Sequence, residues 1–205
     1  MNAREELLLR MYRQMFADVE NHFSIAWQSI AMLVGSIGLV ALSDSLISLD
    51  LGASFVIILA AWMILTFQDA GFWYNRNLII VANIERQFLT KDDLKDIHFY
   101  FRKHRPKNKT ISHLKIQMYL GFGIGAVILC YHFANRILPG LSSPISEFDP
   151  ARGIPLIVAA CAIFLIIQSA NHNRKKYSEF LRNSPGIDVD TDGIEYKIGH
   201  GGESD

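Results

Sequence analysis

The chain has 205 residues, of which 50% are hydrophobic, and its 20 basic and 20 acidic residues give a formal net charge of zero. Its apolar residues are concentrated in four windows without Asp, Glu, Lys or Arg, which excludes an ordinary soluble domain. These windows are Ile25–Ser43, Gly52–Gln68, Ile116–Asn135 and Ile154–Asn171. Each is close to the length of helix that crosses about 30 Å of hydrocarbon. We therefore predict an all-α integral membrane protein with a four-helix transmembrane bundle.

The N-terminal segment 1–24 has helical periodicity in its apolar residues and precedes the first window. We predict a cytoplasmic amphipathic helix here. It either lies on the membrane or packs on its own cytoplasmic domain, and a partner-binding helix is the alternative.

The basic residues are distributed unequally between the connections of the four windows. The connection after the first window has none, and the connection after the third has only Arg136 and Arg152. The positive-inside rule therefore places both termini and the middle loop in the cytoplasm, with cytoplasmic helical extensions. We divide the chain into the N-terminal helix 1–24, a first transmembrane hairpin 25–74, a cytoplasmic helical loop 75–114, a second hairpin 115–171 and a tail 172–205.

The second window continues without proline as far as Thr90. We predict one helix of about 39 residues, of which nearly half projects into the cytoplasm. Thr90 is the predicted N-cap of the next helix, with Asp92 and Asp93 in its first turn. The aromatic and basic segment 97–109 fits anionic headgroups better than nucleic acid, so nucleic acid is not an expected partner.

The tail contains DVDTDG, which resembles the start of a calcium loop, but position twelve is Gly199 instead of glutamate. An acidic turn, followed by a short strand GIEYKI, fits this segment better. We expect no metal site, no cofactor and no catalytic residues, because the Ser, His, Asp and Cys residues are too scattered. No window contains an Asp, Glu, Lys or Arg, which argues against an ion-coupled transporter.

Each window carries one glutamine close to its predicted cytoplasmic end. The sequence predicts a polar membrane layer that either joins the helices by hydrogen bonds or lines the inner mouth of an oligomeric pore. Its members are Gln28, Gln68, Gln117 and Gln168.

Two further sets of residues are candidates for function. A joint between membrane and cytoplasm is predicted at Asp69, Trp73, Tyr74, Arg76, Lys115 and Arg174, with Asp69 paired to either Lys115 or Arg174. Close helix packing is predicted at the small-residue pairs Ala31 with Gly35 and Gly121 with Gly125.

The N-terminal helix, the closely connected span pair Ile25–Gln68 and the helix through WYNRNLIIVANIERQFL resemble small bacterial membrane effectors of antiphage defence, the SLATT-like group. Four predicted spans differ from the two of that group. The resemblance implies a homo-oligomer in the bacterial inner membrane that forms or gates a pore when a cytoplasmic protein partner signals. A membrane scaffold that recruits a cytoplasmic protein is the alternative, and a small-solute channel is a third.

Cysteine labelling tests the predicted topology. We expect a membrane-impermeant thiol reagent added from outside to label Ser45→Cys and Ser143→Cys variants, because both positions lie in predicted outer connections. An Asn108→Cys variant in the middle loop should stay unlabelled. The reverse pattern would show that the predicted orientation is wrong.

Overall fold

The computed structural model describes residues 3–42, 49–90, 92–93, 109–141, 144 and 149–183. Four long helices make up most of this part: α1 (Ala3–Leu42), α2 (Leu49–Phe88), α3 (Ser112–His132) and α4 (Ile154–Arg182). A π-helical turn at Phe133–Ile137 and a helical turn at Leu138–Leu141 prolong α3, and a 3-10 turn at Pro150–Gly153 precedes α4. The acidic turn and strand predicted for the tail, and most of segment 97–109, lie outside the described residues.

Helix α1 is a single element of 40 residues, so the predicted N-terminal helix and the first window are continuous. The reason is that the helix contains no proline and has its first glycine only at Gly35. Nothing in the sequence between the two predicted segments breaks the backbone hydrogen bonds.

Helix α2 confirms the prediction of one long element, since it runs for 40 residues through Gly71. Beyond its end, the backbone N–H and the hydroxyl of Thr90 donate to one carboxylate oxygen of Asp93 at 2.6 and 2.7 Å. The bond from the Thr90 N–H is one of the two bonds of a capping box, and the predicted helix after Thr90 lies outside the described residues. The two hydrogen bonds, the backbone one first, lower the pKa of Asp93.

Among the described residues, three helical segments are long and apolar enough to cross a membrane: Leu49–Phe88, Ser112–Leu141 and Pro150–Arg182. The predicted span Ile25–Ser43 is not one of them. The side chains of its last residues, from 39 onward, lie outside the described part. Half of the apolar window of α2 is buried, against 11% and 17% for the other two segments. Helix α2 is therefore the most enclosed of the three.

The third span is longer than its window predicts. Arg136 belongs to the π-helical turn that continues α3, whereas the sequence places it in a connection. Helix α2 likewise begins at Leu49 and includes Asp50 in its first turn. At both places the helix extends past the end of the charge-free window.

The chain divides into two compact units. Unit 1 contains residues 1–23, 70–109 and 173–205, and unit 2 contains residues 24–69 and 110–172. In unit 1, the buried side chains of Phe72 and Ile79 on α2 pack with Tyr177 and Leu181 on α4. In unit 2, buried apolar residues of α1 and α2 form the core, among them Leu33, Val56 and Met63.

Of the glycines in α3, Gly121 packs most closely against α2 in unit 2. A Cβ atom added to Gly121 would lie 2.7 Å from Cε of Met63 and 2.9 Å from Cγ1 of Ile64. An added Cβ at Gly125 would lie 3.9 Å from Cβ of Ala60, which is an ordinary contact. The predicted pair of glycines thus faces a helix of the same chain, and only Gly121 is required to be glycine by its surroundings.

The substitution Gly121→Leu should lower the free energy of unfolding by about 1–3 kcal/mol, because the added side chain overpacks the contact with Met63 and Ile64. Gly123→Leu is the matched control, since an added Cβ there meets nothing within 4 Å. Unfolding of the purified protein in mixed detergent micelles measures both. Equal losses at the two positions would contradict the packing.

Candidate functional site

Unit 2 contains a buried carboxylate at Asp50, whose residue is only 2% exposed. Asp50 lies in the first turn of α2, where free backbone N–H groups and the helix dipole favour a negative charge. A buried carboxylate is costly unless cations and hydrogen-bond donors surround it. The residues that meet this requirement define the candidate site.

His132 and Arg136 bind the two oxygens of Asp50. The fully buried His132 places Nε2 2.8 Å from Oδ1, and Arg136 donates from Nε to Oδ1 at 3.1 Å and from Nη2 to Oδ2 at 2.7 Å. Arg136 thus forms the two-pronged ion pair that a planar guanidinium makes with a carboxylate. The carboxylate has three donor contacts in a nearly dry setting.

The π-helical turn places both partners on the same side of the chain. His132 ends α3 and Arg136 follows four residues later within Phe133–Ile137. Residues four apart share a helix face, and the wider turn shifts that face relative to a regular α-helix. Turns of this kind are frequent at functional sites because they re-aim side chains.

Asp149 and Arg152 extend the site at its more open side. Nη2 of Arg136 also donates to Oδ2 of Asp149 at 2.9 Å, and the N–H of Ala151 donates to Oδ1 at 3.0 Å. Asp149 thereby caps the 3-10 turn, and Nε of Arg152 lies 3.9 Å from Oδ2 of Asp149. We call Asp50, His132, Arg136, Asp149 and Arg152 the Asp50 cluster.

The ion pairs of the Asp50 cluster hold chain segments together. Two carboxylates face two guanidinium groups, so the formal charges balance when His132 is neutral. No nucleophilic Ser or Cys belongs to the cluster. Within the described part of the chain, no group of three or more His, Cys, Asp or Glu residues is placed to hold a metal ion. The cluster joins the start of α2, the end of α3 and the turn before α4.

The four glutamines differ in their surroundings. Gln28 and Gln168 are exposed, Gln68 and Gln117 are half-buried, and all four belong to unit 2. Nε2 of Gln28 lies 3.4 Å from the hydroxyl of Ser24, whereas Oε1 of Gln68 is buried without a partner in the described residues. No hydrogen bond joins two of these glutamines in the part of the chain that the structure describes. The polar layer stays a prediction.

The predicted joint residues on the C-terminal half of α2 make aromatic contacts within unit 1. The ring of Trp73 stacks on His22 with centroids 5.6 Å apart, and Tyr74 meets Phe23 edge-on at 5.9 Å. The guanidinium of Arg76 lies 4.9 Å from the centroid of Trp73 and 5.6 Å from that of Phe180. These contacts fasten α2 to α1 and to α4.

Asp69 and Lys115, both in unit 2, are exposed and do not form the predicted ion pair in the described structure. The alternative partner, Arg174, belongs to unit 1, and that pairing stays a prediction. The small pair Ala31 and Gly35 is also exposed, and an added Cβ at Gly35 meets nothing within 4 Å.

Polar contacts complete unit 1. The hydroxyl of Tyr12 donates to Glu85 at 3.3 Å, and Nδ2 of the buried Asn75 donates to the carbonyl of Lys109 at 2.9 Å. Burial raises the pKa of Tyr12, and the neighbouring Glu85 raises it further. These side chains connect α2 to α1 and to the segment that leads into α3.

Sequence reasoning missed the Asp50 cluster, although it noted both arginines and the acidic connection. Two features of the sequence could have indicated the cluster. Asp50 lies at a helix start in a connection that contains no basic residue, and His132 and Arg136 are four residues apart. No protein-family model matches the chain, and neither a curated protein nor a solved structure is significantly similar to it. The site is therefore interpreted from its geometry.

Removing one member of the buried pair tests the cluster. Arg136→Gln should lower the free energy of unfolding by about 3–5 kcal/mol, because it leaves the Asp50 carboxylate buried without its cation. The double variant Asp50→Asn with Arg136→Gln should be more stable than the single variant. Detergent unfolding of the purified variants measures both differences.

Asp149→Asn is the matched control for this experiment, since the Asp149 side chain is 39% exposed and solvent screens its ion pairs. We expect its effect to stay below about 1 kcal/mol. A double variant that is no more stable than Arg136→Gln alone would show that Asp50 and Arg136 do not act as a pair.

Proposed function

We propose that the protein is a non-enzymatic, oligomeric membrane effector of the bacterial inner membrane, with both termini cytoplasmic. In this proposal, unit 1 receives a signal from a cytoplasmic protein partner and unit 2 forms or gates a pore. The resemblance to the SLATT-like group supplies the class of activity. The geometry supports a transmission route through the helices.

The continuity of three helices is the observation that carries the proposal. Helices α1, α2 and α4 each contribute residues to both units without a break in the helix. A continuous α-helix transmits rotation and displacement along its axis, because its backbone hydrogen bonds resist bending. A partner that moves one of these helices in unit 1 therefore acts on its residues in unit 2.

The Asp50 cluster supports two alternative states of unit 2. Its hydrogen bonds keep the ends of three elements together. If they break, the Asp50 carboxylate either becomes exposed to solvent or stays buried without a cation. Such an arrangement favours one discrete packing over a continuous deformation. We assign the fastened arrangement to the closed state.

Exposed apolar side chains in unit 1 support a protein partner. Leu7 is 58% exposed, and Met11 and Phe88 are each 39% exposed. Leu7 and Met11 lie four residues apart on one face of α1, a spacing used by helices that bind in grooves. This surface equally favours the second candidate function, a membrane scaffold that recruits a cytoplasmic protein without conducting ions.

The exposed small residues of α1 support an oligomer. Ala31 and Gly35 lie one turn apart, and the space beside Gly35 admits a neighbouring helix at short distance. Close approach of two helices allows backbone contacts that large side chains prevent.

A proline at the exposed Asp69 tests transmission through α2. Asp69→Pro removes a backbone hydrogen bond and kinks the helix at a cost of about 3 kcal/mol, whereas Asp69→Ala keeps the helix intact. We expect wild type and Asp69→Ala to depolarise the membrane when co-expressed with the products of neighbouring genes, and Asp69→Pro to depolarise it much less. A potential-sensitive dye measures the response.

Membrane levels of the three proteins must match for the comparison to hold. No depolarisation by the wild type under any co-expression condition would favour the scaffold function. Equal depolarisation by both variants would show that the continuity of α2 is not required.

A further inference from the structure

Three consecutive cations follow the apolar part of α4. Arg174, Lys175 and Lys176 are all exposed, and each lies off the buried stripe formed by Asn173, Tyr177 and Leu181. Because the stripe fixes the rotation of the helix within unit 1, the three side chains are held outward. Consecutive residues of an α-helix point about 100° apart, so the three cations form a basic collar around the exposed sides of α4.

Among the residues that the structure describes, these cations have no acidic partner. None of the three forms an ion pair within the described residues, although Glu179 lies one turn from Lys175 and Lys176. The stretch of α1 that precedes Ser24, in contrast, mixes basic residues with acidic ones such as Asp18 and Glu20. The three consecutive charges of α4 are not neutralised by ion pairs among the described residues.

The distance between the three cations and the exposed apolar residues of α4 indicates the kind of ligand. Ile167 is the last large apolar residue exposed before the basic stretch, and Arg174 follows about 10 Å further along the helix. A headgroup layer is about 5–8 Å thick. Long Lys and Arg side chains extend back toward a membrane surface by several ångströms, so their charges reach the phosphate level.

We propose that Arg174, Lys175 and Lys176 bind the headgroups of anionic phospholipids in the leaflet next to unit 1. Flexible ammonium groups and a guanidinium fork both bind phosphate oxygens. The proposal rests on the membrane insertion assumed for the proposed function, but it does not depend on pore formation. It assigns the protein a preference for a lipid class.

Arg182 supplies an internal control on the same helix. It is exposed and, like the three cations, forms no ion pair among the described residues, but it lies about 22 Å beyond Ile167. At that distance its side chain does not reach the headgroups. Loss of its charge changes the net charge of the protein without changing the proposed site.

The experiment measures which lipids stay bound to the full-length protein. Wild type is purified in a mild detergent containing equal amounts of dioleoyl phosphatidylglycerol and dioleoyl phosphatidylcholine, and retained lipids are counted by native mass spectrometry. We expect phosphatidylglycerol to be enriched. The triple variant Arg174→Gln, Lys175→Gln, Lys176→Gln should lose at least about fivefold of this enrichment, and Arg182→Gln should keep it.

Two results would overturn the proposal. One is unchanged enrichment in the triple variant or an equal loss in Arg182→Gln. The other is enrichment that arises only after removal of residues 184–205, which carry Asp188, Asp190, Asp192 and Glu195, because the basic collar would then be occupied by the chain's own acidic segment.

Alkaline carbonate extraction of membranes separates this proposal from the proposed function. If carbonate releases the wild type, the protein is not inserted and both proposals are wrong. If the wild type stays in the membrane without enriching phosphatidylglycerol, only the lipid preference is wrong. Neither membrane insertion nor the lipid preference is judged from depolarisation, which is measured separately.

Discussion

The buried carboxylate of Asp50 constrains how the elements of unit 2 can meet. Taking a charge out of water costs several kcal/mol, and only a close cation with good hydrogen-bond geometry offsets this cost. Arg136 and His132 supply that geometry at 2.7–3.1 Å. The start of α2 must therefore lie beside the end of α3, and Asp149 draws the turn before α4 toward the same point. One charge sets the positions of three chain segments.

Unit 1 is held together by different kinds of interaction. Its helices are joined by aromatic rings, buried amides and the Arg76 guanidinium over two rings, and none of these requires a buried ion pair. Contacts of this kind are individually weak and tolerate small shifts. Many weak contacts therefore hold unit 1 together, whereas one buried carboxylate and its cation constrain unit 2.

The sequence predicts the helices better than it predicts the site, for a physical reason. The length of α2 follows from a local rule, since no proline interrupts it. The sequence does not predict the fusion of the N-terminal helix with the first window, because the polarity of the chain changes between them while the backbone stays helical. The partners of Asp50 lie 82 and 86 residues away along the chain, so no local pattern indicates them. The contact of Gly121 with α2 is equally non-local. The spacing of Gly121 and Gly125 predicts close packing of α3 but does not indicate its partner helix.

The π-helical turn also makes unit 2 sensitive to chain length. A turn of this type holds one residue more than a regular α-helical turn, so the phase of α3 beyond Phe133 depends on that extra residue. Loss of a single residue between Phe133 and Arg136 would restore the regular period and leave Arg136 three residues from His132 instead of four. The chemistry of the turn's other side chains matters much less, because several of them are exposed. In this segment, the count of residues is under tighter constraint than their identity.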